Sequence, residues 1–349
     1  MTFFSTPLIA WTDKGLFCEA GGFYIDPHRR VDLAIVTHAH SDHARRGSAK
    51  YICEASGVSL LQNRLGKQIQ VQGIPYGQKF KLNDVTVSFH SAGHILGSAQ
   101  VRVEYQGEVW VASGDYKREP DPTCAPFEPV KCDTFITEAT FGTPKFVWEK
   151  TNDYGIRMAE WWEQNAANGI NSIIFGYSLG KAQRILGELA PYAKKPVLIY
   201  STILELTECY RNEGWTLAET IELKEAVADF KKKGIKMTGE MILAPPSILD
   251  EEWMKEIGEY RTAFASGWMA GRGGWGSQSY DHGFVMSDHA DWNDLNQTIE
   301  ETGATRVFVQ HRTGTLIRHL RKKGIDAHPV EALEVENWAR MGGENLELF

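Results

Sequence analysis

The chain has 349 residues, of which 42% are hydrophobic and 23% charged, enough for two globular units with buried cores. It shows no basic start followed by an apolar core and no apolar stretch of membrane-spanning length, which argues against a secreted or membrane protein. Its five cysteines form no CxxC pair, so we expect a reduced, cytoplasmic protein. The formal net charge of -8 argues against broad affinity for polyanions, so any anion-binding surface must be local.

The first chemically informative segment follows a short apolar run at 33–37, which predicts a buried strand. The letters His-Ala-His-Ser-Asp-His then occupy 38–43. On an extended chain the first two histidines point to the same side and can share a metal ion. The Asp and the last His come where a helix is expected to begin, so they can diverge toward a second ion. The motif indicates a paired-metal site, with a closed structural metal site as the alternative.

Two further metal-binding side chains are predicted at turns later in the chain. His94 lies in the small-residue turn Ser-Ala-Gly-His-Ile-Leu-Gly-Ser at 91–98, which lets the backbone and a metal approach closely. Residues 109–113 predict a second buried strand, and Asp115 follows its end. A carboxylate has two oxygens and can bridge two cations, which suits Asp115. Either residue alone fits an ordinary turn, but their occurrence after the first motif favours metal binding.

Three later segments add an acid and two histidines. Glu138 follows a third apolar run, His289 lies in Ser-Asp-His-Ala-Asp at 287–291, and His311 ends a strand predicted from 307. About 150 residues with their own alternation of helices and strands separate Glu138 from His289. Taken alone, His289 also fits an ordinary residue at the start of a helix.

In this order the residues resemble the metallo-β-lactamase superfamily, whose motifs run Asp, His-x-His-x-Asp-His, His and Asp. Asp26 matches the first Asp, and the resemblance makes it a residue that orients a metal ligand. The implied fold is α/β, a four-layer αβ/βα sandwich with a dinuclear metal site at one edge of its sheets. The later acid and histidines resemble motifs A, B and C of the β-CASP nucleic-acid-processing branch. That branch implies a lactamase domain at 1–144 and 287–349, with an inserted α/β β-CASP domain at 145–286.

The resemblance also implies the role of each site residue. One metal is held by His38, His40 and His94, the other by Asp42, His43 and His311, and Asp115 bridges them. A hydroxide held between the two ions is the expected nucleophile on a phosphodiester phosphorus. Asp42, Glu138 and His289 are the implied catalytic residues, with His289 donating a proton to the leaving oxygen. Imidazole and carboxylate ligands without thiolate suit Zn first, with Mn or Fe as alternatives.

The sequence is most similar to the bacterial ligase-associated DNA exonucleases, a β-CASP group linked to DNA ligase and helicase partners. The similar stretches are 21–27, 113–117, 119–124, 266–269 and 284–292. They imply a metal-dependent DNA exonuclease in DNA repair. A β-CASP ribonuclease in RNA processing is the alternative, which the histidine at motif C favours.

Several residues are candidate substrate contacts. Residues 172–177 predict a strand, and Ser178 and Lys181 follow in a polar turn that leads into an amphipathic helix through Leu189. Free backbone N–H groups and a positive charge there suit a substrate phosphate, with an ordinary N-cap and an exposed lysine as the alternative. Trp268 and Arg272, with Trp275, could form a wall that stacks on a single strand, or could serve only core packing and a flexible loop.

Two other functional classes are weighed against a nuclease. A small-molecule metallohydrolase, such as a lactamase or thioesterase, shares the metal motifs, but the inserted region and His289 argue against it. A catalytically silent scaffold that recruits repair partners is the second class, and the apparently complete ligand set argues against that one. Because the net charge is negative, the expected phosphate contacts are concentrated in short basic segments, namely Arg45–Arg46, Lys117–Arg118 and 318–323.

Overall fold

A computed structural model describes residues 6–150, 153–250, 252–270, 280–311 and 314–341. The chain divides into two compact units. The first unit lies within 1–118, 125–145 and 289–349, and the second consists of 119–124 and 146–288. The domain division expected from the sequence assigns residues 119–124 to the first domain, whereas the structure groups them with the second unit. Among the described residues, no helix has the length and apolar character needed to cross a membrane.

Strands and helices alternate along most of the chain. The strands are β1 (Ala10–Thr12), β2 (Gly15–Cys18), β3 (Phe23–Ile25), β4 (Leu33–Ile35), β5 (Lys50–Glu54), β6 (Val71–Ile74), β7 (Phe80–Leu82), β8 (Val85–Ser91), β9 (Ala99–Tyr105), β10 (Glu108–Ala112), β11 (Thr134–Thr137), β12 (Asn171–Phe175), β13 (Val197–Ile199), β14 (Thr220–Glu222), β15 (Met241–Ala244), β16 (Tyr260–Ala265), β17 (His282–Phe284), β18 (Arg306–Val309) and β19 (Asp326–Pro329). The α-helices are α1 (Val58–Leu65), α2 (Tyr154–Ala167), α3 (Lys181–Leu189), α4 (Ser201–Asn212), α5 (Leu223–Lys233), α6 (Trp292–Thr302), α7 (Gly314–Lys322) and α8 (Val335–Met341).

The described part of the first unit contains two sheets. One has the strand order β1-β2-β3-β4-β5-β6, and the other has the order β19-β18-β11-β10-β9-β8-β7. In the second sheet, β10, β11, β18 and β19 run parallel to one another. The carboxyl ends of neighbouring parallel strands meet at one edge of a sheet, so the chain leaves β10, β11 and β18 on the same side.

Apolar side chains from both sheets form one core between them, with Phe23 from the first sheet and Phe89 and Trp110 from the second. Helix α1 covers the outer face of the first sheet, where Leu61 packs among residues of β4 and β5. Helices α6 and α7 cover the outer face of the second sheet, where Leu295 packs against β10, β11 and β18. The order helix, sheet, sheet, helix confirms the predicted four-layer α/β sandwich.

The second unit is built on a parallel sheet with the order β14-β13-β15-β12-β16-β17. Its central strands are apolar on both sides, because Ile173 and Ile174 point to opposite faces and each is fully buried. Helices α2, α3 and α4 contribute to the core on one face, and α5 contributes to the core on the other. Helix α3 ends at Leu189, as the amphipathic pattern predicts.

Candidate metal centre and acid–base pair

Two strand ends in the first unit bring the histidine motif to Asp115. The chain beyond β10 passes through Gly114, which has a φ of 57°. A Cβ atom at Gly114 would lie only 2.7 Å from the side chain of Thr37, which follows β4. Glycine permits both this left-handed backbone and this close approach. As a result, the Asp115 Oδ2 atom lies 3.4 Å from His38 Nε2.

The histidine motif ends in a turn rather than in the predicted start of a helix. The backbone N–H groups of His43 and Ala44 donate to the carbonyl oxygen of His40 over 3.2 Å and 2.8 Å, and helical bonding stops there. The His43 ring is fixed instead by a tertiary contact, in which Nδ1 donates to Asp26 Oδ2 over 2.7 Å. This contact takes the place of the local bonding that a continuing helix would have supplied.

Asp26 ties the first strand ends to the histidine motif. Its Oδ1 atom accepts the backbone N–H of Thr37 over 2.7 Å, and its Oδ2 atom accepts the Thr37 hydroxyl over 2.6 Å. With Nδ1 of His43 held by the same carboxylate, the Nε2 atom of His43 lies 3.4 Å from Asp115 Oδ2. The geometry therefore gives Asp26 an orienting contact to His43, and Thr37 orients Asp26.

Four side chains form a compact group of donor atoms. One ligand atom from each of His38, His40, His94 and Asp115 lies within 4.8 Å of all the others. The Nε2 atom of His38 and the Oδ1 atom of Asp115 are buried and have no hydrogen-bond partner within the described chain. Buried polar atoms are costly when unpaired, and a cation among these donors would satisfy both. The four residues therefore fit a divalent metal ion.

The charges of this group suit metal binding. Burial, followed by repulsion from His38 and His289, lowers the pKa of His94 well below its usual value. Burial opposes ionisation of Asp115, but attraction from His43 and His289 holds its pKa well below the usual range. Neutral imidazole and ionised carboxylate are the forms that bind metals.

The backbone around His94 is fixed by its small-residue turn. Gly93 has a φ of 68°, and a Cβ atom there would lie 2.4 Å from the carbonyl oxygen of Lys117. The Ser98 hydroxyl oxygen accepts the backbone N–H groups of His94 and Ile95 over 3.0 Å and 3.2 Å. These contacts hold the His94 ring beside His40, with 3.0 Å between His94 Nε2 and His40 Nδ1.

A second group joins Asp115 to an acid and a histidine from distant parts of the sequence. Asp115, Glu138 and His289 also have ligand atoms within 4.8 Å of one another. The His289 Nδ1 atom lies 3.1 Å and 3.0 Å from the two carboxylate oxygens of Glu138. Glu138 is fully buried, and its Oε1 atom accepts the backbone N–H of Tyr116 over 2.7 Å. The His289 ring is 4.8 Å from the His94 ring, so this pair adjoins the metal-binding group.

Three named proteins are similar to this chain in sequence. The chain is 30% identical over 317 residues to a probable DNA ligase of Opitutus terrae, a match that covers 90% of this chain and 30% of that protein. It is 23% identical over 227 residues to an RNase J-like protein of Methanocaldococcus jannaschii, covering 57% of this chain and 54% of the relative. It is 30% identical over 200 residues to cleavage and polyadenylation specificity factor subunit 3 of Dictyostelium discoideum, covering 46% of this chain and 25% of the relative. The chain belongs to the β-CASP branch of the metallo-β-lactamase superfamily.

The extent of these matches, the family models and a similar solved structure complete the comparison. The β-CASP chain spans less than two thirds of the length of each of these curated relatives. No protein-family model matches it. A crystal structure of a protein of unknown function from Enterococcus faecalis superposes with a TM-score of 0.60 at 12% identity, over 85% of this chain and 78% of that one, which shows the shared fold alone.

The residues predicted for a second metal ion are less closely grouped in this β-CASP chain. The Asp42 carboxylate is 66% exposed, and its Oδ2 atom lies 3.8 Å from His43 Nε2. His311 is exposed, with a φ of 66°, in the turn after β18. Within the described ranges, none of Asp42, His43 and His311 belongs to a group of three or more donor atoms within 4.8 Å. Their roles as ligands remain predictions.

The predicted substrate contacts of the β-CASP insertion have mixed environments. Lys181 is 2% exposed, not exposed as the phosphate-docking hypothesis requires. Its Nζ atom donates to Asp288 Oδ1 over 2.8 Å and to the Met286 carbonyl oxygen. Ser178 is half-buried, with its hydroxyl 2.9 Å from that of Thr202. Trp268 is half-buried and meets Phe146 edge to face, with ring centroids 5.2 Å apart, and Arg272 lies outside the described residues.

Sequence reasoning missed two of the hydroxyl side chains that support the site of this β-CASP protein. Thr37 contacts Asp26, and its Oγ1 atom lies 3.0 Å from His38 Nδ1. Thr140 places its backbone N–H 3.3 Å from Glu138 Oε2 and its hydroxyl 3.4 Å from His289 Nδ1. Their positions in the sequence could have identified them, because Thr37 directly precedes His38 and Thr140 follows Glu138 by two residues.

Proposed function

We propose that the protein is a metal-dependent phosphodiesterase that cleaves DNA, as an exonuclease acting in DNA repair. The observation that carries this proposal is the buried Glu138 carboxylate paired with His289 beside the metal-binding group. A metal-binding group alone suits many hydrolases. An adjacent, oriented histidine adds the acid that a poor leaving group such as a sugar hydroxyl needs.

Each residue then has a defined task. Two divalent cations, Zn or alternatively Mn or Fe, would stabilise negative charge on the phosphoryl oxygens and activate a water molecule. The proposed ligands are His38, His40, Asp42, His43, His94, Asp115 and His311. Asp26 fixes the orientation of His43. Glu138 accepts a hydrogen bond from Nδ1 of His289, so that His289 would give a proton to the leaving oxygen at Nε2.

Support for DNA comes from the Opitutus terrae relative. Its match to this chain covers 90% of the chain but only 30% of a protein named as a probable DNA ligase. A nuclease joined to a ligase could remove nucleotides before the ends are sealed. A DNA ligase partner is part of the proposal for the same reason, and a helicase partner is proposed from the resemblance to the ligase-associated exonucleases alone. All five cysteines are free thiols, which suits the proposed cytoplasmic location.

RNA is the second candidate substrate. The Methanocaldococcus and Dictyostelium relatives are named for RNase J and for a cleavage and polyadenylation factor, respectively. Their matches cover 57% and 46% of this chain, compared with 90% for the ligase-named protein. The wider match supports DNA as the first candidate substrate.

The inserted unit is the proposed source of further substrate contacts. The Trp268 ring is half-buried and meets Phe146 edge to face, and stacking of its exposed part on a base is part of the proposal. Ser178 offers a hydroxyl at the carboxyl end of β12, and Arg272 remains a proposed phosphate contact. Lys181 is better assigned to the internal ion pair with Asp288 than to substrate.

The substrate is tested with end-labelled strands of one sequence, as single- and double-stranded DNA and RNA. The metal-reconstituted protein should shorten DNA stepwise from one end and cut the matching RNA at least about tenfold more slowly, since a site shaped for one sugar rejects the other. Asp115→Asn protein, purified in parallel, controls for contaminating nucleases. Faster cutting of RNA would reverse the substrate assignment, and turnover of a generic ester with no strand cleavage would refute nuclease function.

A further inference from the structure

Three arginines gather beside the histidine motif in the first unit. Arg45, Arg46 and Arg64 are all exposed. Arg64 lies in the last turn of α1, where its carbonyl oxygen accepts hydrogen bonds from Arg46 Nε and Nη2 over 3.4 Å and 3.2 Å. This contact fixes Arg46 against the end of the helix. We call Arg45, Arg46 and Arg64 the arginine cluster.

The arginine cluster is not neutralised by neighbouring acids. None of its guanidinium groups forms an ion pair with a carboxylate in the described part of the chain, although acidic residues outnumber basic ones by 45 to 37 overall. Like charges held together repel one another, so an anion that binds all three would relieve that repulsion.

The cluster adjoins the proposed reaction centre. Arg45 follows His43 by two residues and comes directly after the turn in which the Ala44 N–H donates to the His40 carbonyl oxygen over 2.8 Å. Asp42 lies 3.8 Å from the ring of His43. A strand with one phosphate near the metal-binding group would therefore carry its neighbouring phosphates past these arginines.

Several side chains of the other basic segments expected from the sequence are already engaged. Lys117 is 1% exposed, and Arg118 forms a two-point ion pair with Glu301 over 2.7 Å and 3.1 Å. Arg321 donates from Nε to the carbonyl oxygen of Ala327 over 2.7 Å. Arg318, Lys322 and Lys323 are exposed as well. The arginine cluster is the better candidate for an anion held near the metal-binding group, because Arg45 and Arg46 directly follow the histidine motif.

We propose that the arginine cluster binds the phosphate backbone of the nucleic-acid strand and holds it beside Asp42. Planar guanidinium groups suit this role, because each can donate two parallel hydrogen bonds to one phosphate. The proposal rests on the proposed nuclease function and adds to it the surface that carries the strand. Such contacts give affinity without base preference.

The test measures binding of the metal-loaded protein to a fluorescent, phosphorothioate-linked single strand over a range of salt concentrations. The double variant Arg45→Gln/Arg64→Gln should bind about tenfold more weakly, equivalent to about 1.4 kcal/mol. Its log–log salt dependence should be less steep by about 1.4, because each lost phosphate contact on a single strand contributes about 0.7. The loss should be equal for strands of different base sequence.

Two controls make the result specific. Lys79→Gln removes a similarly exposed charge, paired with Glu104 over 4.0 Å in the same unit, and should not change the slope. Arg45→Lys/Arg64→Lys keeps both charges and should restore the slope but only part of the affinity. Unchanged binding by the glutamine variant, or an equal effect of Lys79→Gln, would overturn the proposal. Binding is read independently of cleavage, so absent cleavage by the wild type would refute the nuclease function, while the binding of the glutamine variant would still decide the role of the arginine cluster.

Discussion

Replacing His289 with alanine should lower kcat for strand cleavage by about 10²- to 10⁴-fold, the usual contribution of a positioned acid. The metal content should stay at the wild-type level, because the group formed by His38, His40, His94 and Asp115 does not include His289. The loss has a physical cause, since His289 is the imidazole that the buried Glu138 carboxylate orients beside that group. Single-turnover cleavage of an end-labelled strand and elemental analysis of the same sample measure both quantities.

His90→Ala is the matched control for this experiment. His90 is also paired with a glutamate in the first unit, with Nδ1 2.9 Å from Glu128 Oε1, but it belongs to neither group of candidate metal ligands. Its replacement should leave kcat unchanged. Glu138→Gln should lower kcat, because a neutral amide replaces the carboxylate that orients His289. Normal turnover by the His289 variant would remove it from the reaction, and loss of metal would make it a ligand.

Replacing Arg184 with alanine should destabilise the second unit by about 3–5 kcal/mol, the cost of leaving buried charges without their partner. Arg184 is 1% exposed and donates to Glu119 Oε2 over 3.0 Å and to the Ser287 carbonyl oxygen over 2.6 Å. Burial opposes its charge, yet Asp121, Glu119 and then Asp288 raise the pKa of Arg184 above its usual value. Removal of the guanidinium would leave these buried carboxylates without a positively charged partner.

Hydrogen exchange of peptides from β12 and α3 reports this loss directly, because their amides are protected by the stability of the second unit. Arg184→Lys retains the charge without the planar fork and should lose less protection than Arg184→Ala. Arg211→Ala is the matched control, since Arg211 is a more exposed arginine of the same unit, paired with Glu208 over 2.6 Å. Protection equal to that of the control variant would mean that the buried network adds little stability.

Local sequence pattern predicted much of the scaffold because its strands are short apolar runs. The run at 33–37 contains β4, and the predicted run at 109–113 overlaps β10 to within a residue at each end. Asp115 and His94 were selected because they follow such strands or lie in glycine-rich turns. The structure brings these two side chains together with His38 and His40, since strand ends and tight turns restrict where side chains can go.

Residues whose environment depends on distant parts of the chain were harder to predict. The polar turn at 178–181 predicts an exposed Lys181, but the side chain is buried against Asp288, which lies 107 positions later. Residues 119–124 belong to the second unit, where Glu119 and Asp121 contact Arg184. No local sequence pattern predicts these ion pairs. A charged side chain can be buried when an oppositely charged partner lies next to it. The sequence of one segment does not show whether a distant segment supplies that partner.

The expected helix after His40 illustrates a competition between local and tertiary bonding. The segment makes one turn, and then Asp26, 17 residues earlier, holds the His43 ring. His311 shows the same dependence, because its direction is set by a turn with a φ of 66° rather than by the strand before it. Strand ends were therefore easier to predict than the side-chain directions beyond them.

Metal titration of chelated protein tests the central claim most directly. Zn or Mn is added stepwise, and bound metal and cleavage of an end-labelled DNA strand are measured in each sample, with Asp115→Asn protein alongside. We expect cleavage to be absent after chelation, to rise with bound metal, and to remain absent in the Asp115 variant, which loses a candidate ligand shared with the acid–base pair. Full cleavage by metal-free protein, or cleavage by the Asp115 variant equal to wild type, would contradict a metal-dependent nuclease at this site.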